Sequence, residues 1–217
     1  MTETEISPGL RLNAGPALFI ESIDTLAVAD VHWGYAMSQR HAGRLLPLWS
    51  DDDIDRRLAR LVAHYHPSRL VIVGDVVHDR TGGRAARSTL EKLTAGLRLV
   101  LVAGNHDIRA GLQTVDAFRD GGFFFHHGNR PQKVPHGSLE IIGHEHPAAV
   151  WSDGAGTRIR MPACVAGPRR IILPAFSPWA GGVPWNDRLA SDERLWLVSA
   201  KHIFPLATGA ARHSVTP

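Results

Sequence analysis

The chain has 217 residues, 44% apolar and 21% charged, with a formal net charge of +3; that fits one soluble domain, 1–217, with a full core of its own. Its single cysteine, Cys164, excludes an internal disulfide framework and a cysteine-rich zinc site. No run approaches the roughly 18 apolar residues a membrane helix needs, and Glu3 and Glu5 stand where a signal peptide would be positive, so a cytoplasmic protein without a membrane partner is expected. Arginine carries nearly all the positive charge, lysine occurring only at 92, 133 and 201. That suits bidentate phosphate contacts but is equally the usage of a GC-rich genome.

Residues 1–16 read as a flexible polar lead-in with an edge strand at Leu10-Arg11-Leu12. Phe19 to Ser22 and Thr25 to Ala29 follow as short strands, the second apolar throughout and so buried on both faces. Asp30 and His32 come next. One residue apart, they can turn to the same side of an extended segment, or form an Asp turn beside a surface His. Trp33 to Trp49 reads as irregular, with Arg40 and Arg44 among aromatics; such a loop can stack bases and hold phosphates, or be pinned by its own rings. Ser50-Asp51-Asp52-Asp53 starts a helix, with Ile54, Leu58, Leu61 and Val62 on one face and Pro67 as the stop. The acidic run is most simply helix-capping chemistry.

Leu70 to Val73 is a buried strand ending in Gly74-Asp75, and a helix pattern runs through Leu90, Leu93 and Leu97. Leu99 to Ala103 then leads into Gly104-Asn105-His106-Asp107. Strand, helix and strand in alternation predict a mostly parallel sheet with its ligands beyond the carboxyl ends of the strands. Ile108 to Asp120 is a short helix or irregular, and Phe123 to Phe125 a strand ending in His126-His127-Gly128. Leu139 to Ile142 ends in Gly143-His144-Glu145-His146. From Arg158 on, short apolar runs at 158–165, 170–173, 195–198 and 202–206 predict a second, more antiparallel sheet, and 207–217 a frayed tail.

Several apolar runs therefore each deliver carboxylate, amide or imidazole at their C-terminal end, the groups that hold hard and borderline divalent ions. Asp30, His32, Asp75, Asn105, His127, His144 and His146 exceed what one tetrahedral site takes, so two metals fit better.

In order along the chain, Asp30-Val31-His32, Gly74-Asp75, Gly104-Asn105-His106-Asp107, His127-Gly128 and Gly143-His144-Glu145-His146 resemble the motifs of the calcineurin-like metallophosphoesterases. The resemblance implies an α/β protein with a four-layer α/β/β/α sandwich and a dinuclear site. Asp30, His32 and His146 would hold the first metal, Asp75 would bridge, and Asn105, His127 and His144 would hold the second. His127 is preferred over His126 because the family's ligand directly precedes Gly. His106 would act as a catalytic residue on the leaving oxygen, and Asp107 would orient a neighbouring His. Attack by a metal-bridging hydroxide on a phosphodiester is the implied mechanism.

The chain is further similar to the bacterial ligase-associated metallophosphoesterases, through Pro67-Ser68-Arg69-Leu70, His146-Pro147, Leu173-Pro174-Ala175-Phe176 and Gly181-Gly182. That similarity implies a manganese-dependent nuclease, with iron or zinc as other fitting metals, acting on DNA, single-stranded in the first instance, in DNA repair beside a helicase and a DNA ligase. Arg40 and Arg44 are the substrate contacts expected. A phosphoesterase on a small substrate (a cyclic nucleotide, a nucleotide pyrophosphate or a phosphomonoester) and a non-catalytic interaction module of the same fold are the alternatives.

Overall fold

The computed structural model describes residues 1–206 apart from 81, 95 and 109, so the tail expected at 207–217 lies outside the described residues. The first sheet has six strands in chain order: β1 (Glu3–Ser7), β2 (Leu10–Asn13), β3 (Ala17–Ile20), β4 (Thr25–Ala29), β5 (Arg69–Val73) and β6 (Arg98–Val102). The expected lead-in is therefore part of the sheet, and Leu10–Leu12 lies inside it; β1 forms the edge. Leu10 and Leu12 alternate inward and are buried between the sheets, which ties the N-terminal hairpin down.

Strands β4, β5 and β6 are parallel, joined by α1 (Tyr35–His41), α2 (Ser50–Tyr65) and α3 (Gly83–Leu93). Their side chains sort by the two-residue period. Leu26, Val28, Leu70, Ile72 and Leu101 meet Ile54, Leu58 and Leu61 of α2 and Ala86 and Leu90 of α3. Ala27, Ala29, Val71, Val73, Val100 and Val102 meet the second sheet. Leu58 is fully buried there, and its truncation to Ala would destabilise the fold by about 2–5 kcal/mol.

The second sheet contains β7 (Ala117–Asp120), β8 (Phe123–His126), β9 (Leu139–Ile142), β10 (Pro147–Ser152), β11 (Arg158–Ala166), β12 (Arg170–Ile172), β13 (Val183–Pro184), β14 (Arg194–Val198) and β15 (Ile203–Leu206). Its path is β13-β10-β11-β12-β9-β8-β7, with β14 pairing β11 and β15. The stretch expected as helix or irregular ends in a strand instead, because Gly121 and Gly122 at positive φ turn β7 back onto β8. Pairings of β8 with β9 and β9 with β12 are parallel, the later ones largely antiparallel. Phe125, Ile141, Cys164, Ile171, Trp196 and Val198 face the first sheet. Ile142, Val165, Ile172, Leu195 and Leu197 face outward and pack with Trp185 and Leu189, so the connection that leads into β14 covers this face where helices cover the first sheet. The residues 30–32, 74–75 and 104–107 leave the first sheet, while 127 and 144–146 leave the second. The two groups can meet only at the seam between the sheets.

Candidate metal centre

Beyond β4 and β5 the backbone stays zipped. Asp30 N–H donates to the Gly74 carbonyl at 3.2 Å, His32 N–H to Asp75 at 2.9 Å and Trp33 N–H to Val76 at 3.1 Å. The same pairing makes Asp30, His32 and Asp75 left-handed, at φ of 54°, 53° and 44°; His144 and His146 follow at 64° and 42°. Five of the seven left-handed non-glycine residues described are thus ligand candidates. A conformation that disfavours an L side chain by about 1–2 kcal/mol is concentrated where side chains must turn into one point.

Two donor sets result. Asp30, His32 and His146 have ligand atoms mutually within 4.8 Å, and so do Asp75, His127 and His144. His127 Nε2 lies 3.4 Å from Asp75 Oδ2 and 3.2 Å from Asn105 Oδ1, which brings Asn105 to the second set. Its Nδ1 is 3.4 Å from the Val73 carbonyl, and Asp30 Oδ1 is 3.8 Å away. His32 Nε2 is 3.8 Å from Asp75 Oδ2, so Asp75 faces both sets. His146 Nε2 lies 3.3 Å from Asp30, whose oxygens also accept the His144 backbone N–H at 2.9 and 3.1 Å. All seven residues expected as ligands are brought together. The neighbouring His126 is held 2.6 Å from Glu140 instead.

Glycines make the room. A Cβ on Gly104 would stand 2.1 Å from Asp75 Oδ1, one on Gly143 2.7 Å from Asp30 Oδ2, and one on Gly74, itself at φ +76°, 2.0 Å from His127 Nδ1. The glycine opening three of the motifs therefore vacates the place a candidate ligand occupies.

The electrostatics fit divalent cations. Asp30 and Asp75 are buried, and among the described residues their ion-pair partners are histidines alone. His32 Nδ1 is buried with no hydrogen-bond partner described. Burial opposes ionisation of Asp75, but the hydrogen bond and charge of His127 outweigh it and hold the carboxyl down at about 2. Burial alone would also lower His127 and His146; hydrogen bonds to Asp75 and Asp30 reverse that and raise both. His32, where burial dominates, is pushed down to about 4 and is neutral. Oxygen and imidazole donors converging on two buried carboxylates suit a pair of cations.

His106 sits beside this centre. Its Nδ1 donates to the His78 carbonyl at 2.7 Å, its backbone N–H to Asp75 Oδ1 at 2.9 Å, and its ring stacks on His78 with centroids 5.0 Å apart. The sequence stretch around His78 had shown no role for it, yet His32, His78 and His106 form a third donor group. Among the described residues Asp107 has no hydrogen bond or ion pair to a histidine side chain; it accepts backbone N–H groups from Gly104 at 2.9 Å and Val77 at 3.1 Å. It fixes the loop that presents His106. The acidic run expected to cap α2 makes no side-chain hydrogen bond at its N-cap, and the acids of the helix bond elsewhere. Asp51 accepts the Gly34 N–H, and Asp55 holds Trp33 Nε1 at 2.7 Å and Thr89.

The cavity over the centre has a volume of about 310 Å³, with Tyr35, His78, His106 and Trp179 among its lining residues. Arg40 and Arg44 do not line it. Arg40 Nη1 donates to the Leu46 carbonyl at 3.1 Å and Arg44 bonds Gln39: the segment expected to be irregular begins as α1, with Arg40 exposed on it and Arg44 exposed beyond its end. Trp179 had no sequence signal, since it lies in a connection without periodicity.

Two mixed sheets meeting at a seam of aspartates, histidines and an asparagine define an α/β metallophosphoesterase, and the family model for calcineurin-like phosphoesterase matches residues 23–206. The chain belongs to that family and is a metal-dependent phosphoesterase. Among solved structures it is similar to a crystal structure of Pseudomonas putida nuclease MPE, at 30% identity and a TM-score of 0.74, covering 94% of this chain and 99% of that one. No curated protein matches by sequence. Among the described residues no helix is long and apolar enough to cross a membrane.

Proposed function

We propose that the protein is a manganese-dependent phosphodiesterase that cuts DNA, and that it serves DNA repair in the cytoplasm beside a helicase and a DNA ligase. The observation that carries the reading is the pair of donor sets facing each other across Asp75. Asp30, His32 and His146 would hold one cation, Asn105, His127 and His144 the other, with Asp75 between them. Bound there, two divalent cations lower the pKa of a water and neutralise the non-bridging oxygens of a diester.

The protein's own residues supply the rest. The His78 carbonyl fixes a proton on His106 Nδ1, which leaves Nε2 to carry a second proton and give it to the departing oxygen. Asp107 holds the loop so that this nitrogen keeps its place. Similarity to a nuclease supports DNA as substrate; a cavity of about 310 Å³, near the lower end for small ligands, favours a small phosphodiester as the second reading.

Purified protein assayed with manganese, iron or zinc on single-stranded DNA, duplex DNA and bis(4-nitrophenyl) phosphate separates these readings. Metal-dependent cleavage of DNA is expected. Turnover of small esters with intact DNA after prolonged incubation would reject the nuclease reading.

A further inference from the structure

A row of rings leads out of the metal centre. His106 stacks on His78 with centroids 5.0 Å apart; His78 meets Tyr35 edge-on at 4.6 Å; Tyr35 lies near-parallel to Trp179 at 6.3 Å and 22°; and Trp179 meets Trp49 at 5.5 Å. The inner rings line the cavity, Trp179 is half-buried, and Trp49 is 48% exposed beside exposed Leu45 and Leu48.

Each outer ring stands on a fixed support. Tyr35 opens α1, whose preceding Gly34 N–H is held by Asp51. Trp49 immediately precedes α2. Trp179 N–H donates to Ser177 Oγ, while Ser177 N–H donates to the carbonyl of Asp30, one of the metal-site carboxylates, at 3.0 Å. The wall is thus referenced to the centre it adjoins. A core needs no indole at the surface, and Trp179 Nε1 is buried without a described partner.

We propose that Trp179 and Trp49, with Tyr35 at the inner end, form a stacking shelf for the unpaired bases of a single DNA strand whose phosphate is cut at the metal centre. The proposal rests on the nuclease reading and deepens it. Flat aromatic faces accept any base, whereas bases paired inside a duplex have theirs covered by neighbours, so the shelf selects single strands without reading sequence.

The test compares wild type with Trp49→Ala, Trp179→Ala and Trp179→Phe on an oligonucleotide, the same oligonucleotide carrying an abasic tract, and bis(4-nitrophenyl) phosphate, all with manganese. For either Ala variant, the ratio of kcat/KM on the oligonucleotide to that on the small diester should fall about tenfold or more, chiefly through KM. Trp179→Phe should recover most of it, and the abasic tract should erase the difference from wild type. An unchanged ratio in the Ala variants, with DNA still cut, overturns the shelf and leaves the nuclease reading standing. Equal loss on both substrates overturns it by giving the tryptophans a purely structural part. Wild-type protein that hydrolyses the small diester but no oligonucleotide overturns both.

Discussion

Substituting Gly104 by Ala adds one methyl group at the point where the two donor sets share a carboxylate. That Cβ would lie 2.1 Å from Asp75 Oδ1, 2.2 Å from its backbone nitrogen and 2.9 Å from its Cα, against ordinary contacts that begin at 3.4 Å. Two of the three atoms are backbone, so no side-chain rotation relieves the overlap. The 104–107 loop or the 74–75 segment must part by roughly 1.2 Å, an overpacking that costs about 1–3 kcal/mol. Either movement breaks the 2.9 Å bond from His106 N–H to Asp75 and shifts Asn105. A displacement of about 1 Å in a positioning group is worth about a hundredfold in rate. We expect Gly104→Ala to fold with a melting point lowered by several degrees, to bind fewer than two manganese ions per chain by metal analysis, and to hydrolyse bis(4-nitrophenyl) phosphate at least about a hundredfold more slowly. A variant with two ions and wild-type turnover would refute the claim that Gly104 is there to make room for Asp75.

The other predictions concern the same centre. Asp75→Ala should keep the secondary structure seen by circular dichroism yet abolish turnover; full activity would remove Asp75 from the scheme. His106→Ala should lose rate on DNA while still binding metal, and a metal-free variant would show His106 to be a ligand. His144→Gly should be more stable than His144→Ala by about 1 kcal/mol in urea unfolding, since only glycine is at ease at φ 64°; equal stabilities would deny the strain. His127 and His146, raised by Asp75 and Asp30, hold protons in the metal-free protein that cations must displace. Manganese affinity should therefore climb as pH rises from about 6 to 8, with proton release seen by calorimetry in buffers of different ionisation heat. A flat affinity would mean those imidazoles are already neutral.

The convergence of the candidate ligands was legible in the sequence because each follows an apolar strand run, and a parallel sheet places such ends together. The division of labour between the sheets was not. Leu99–Ala103 and Leu139–Ile142 read alike, and only pairing assigns one to each sheet, with the site at the seam. Glu3–Ser7 reads as lead-in and Leu10–Leu12 as an edge strand, although the first is the edge and the second lies inside the sheet, because half of a hairpin's residues are polar whether or not it joins a sheet. How Asp107 would orient its neighbouring His was not legible, because it braces the loop through backbone N–H groups, and such partners leave no trace in sequence. Trp179 was invisible for a related reason: its part comes from Ser177 and Asp30, more than a hundred residues apart in the chain.

The central claim is that the carboxylates, imidazoles and amide brought to the seam bind two cations side by side. Anomalous diffraction from crystals grown with manganese addresses it directly. Two peaks about 3.5–4 Å apart are expected, with Asp75 reaching both, Asp30, His32 and His146 on one, and Asn105, His127 and His144 on the other. A single peak, or peaks away from Asp75, would contradict it.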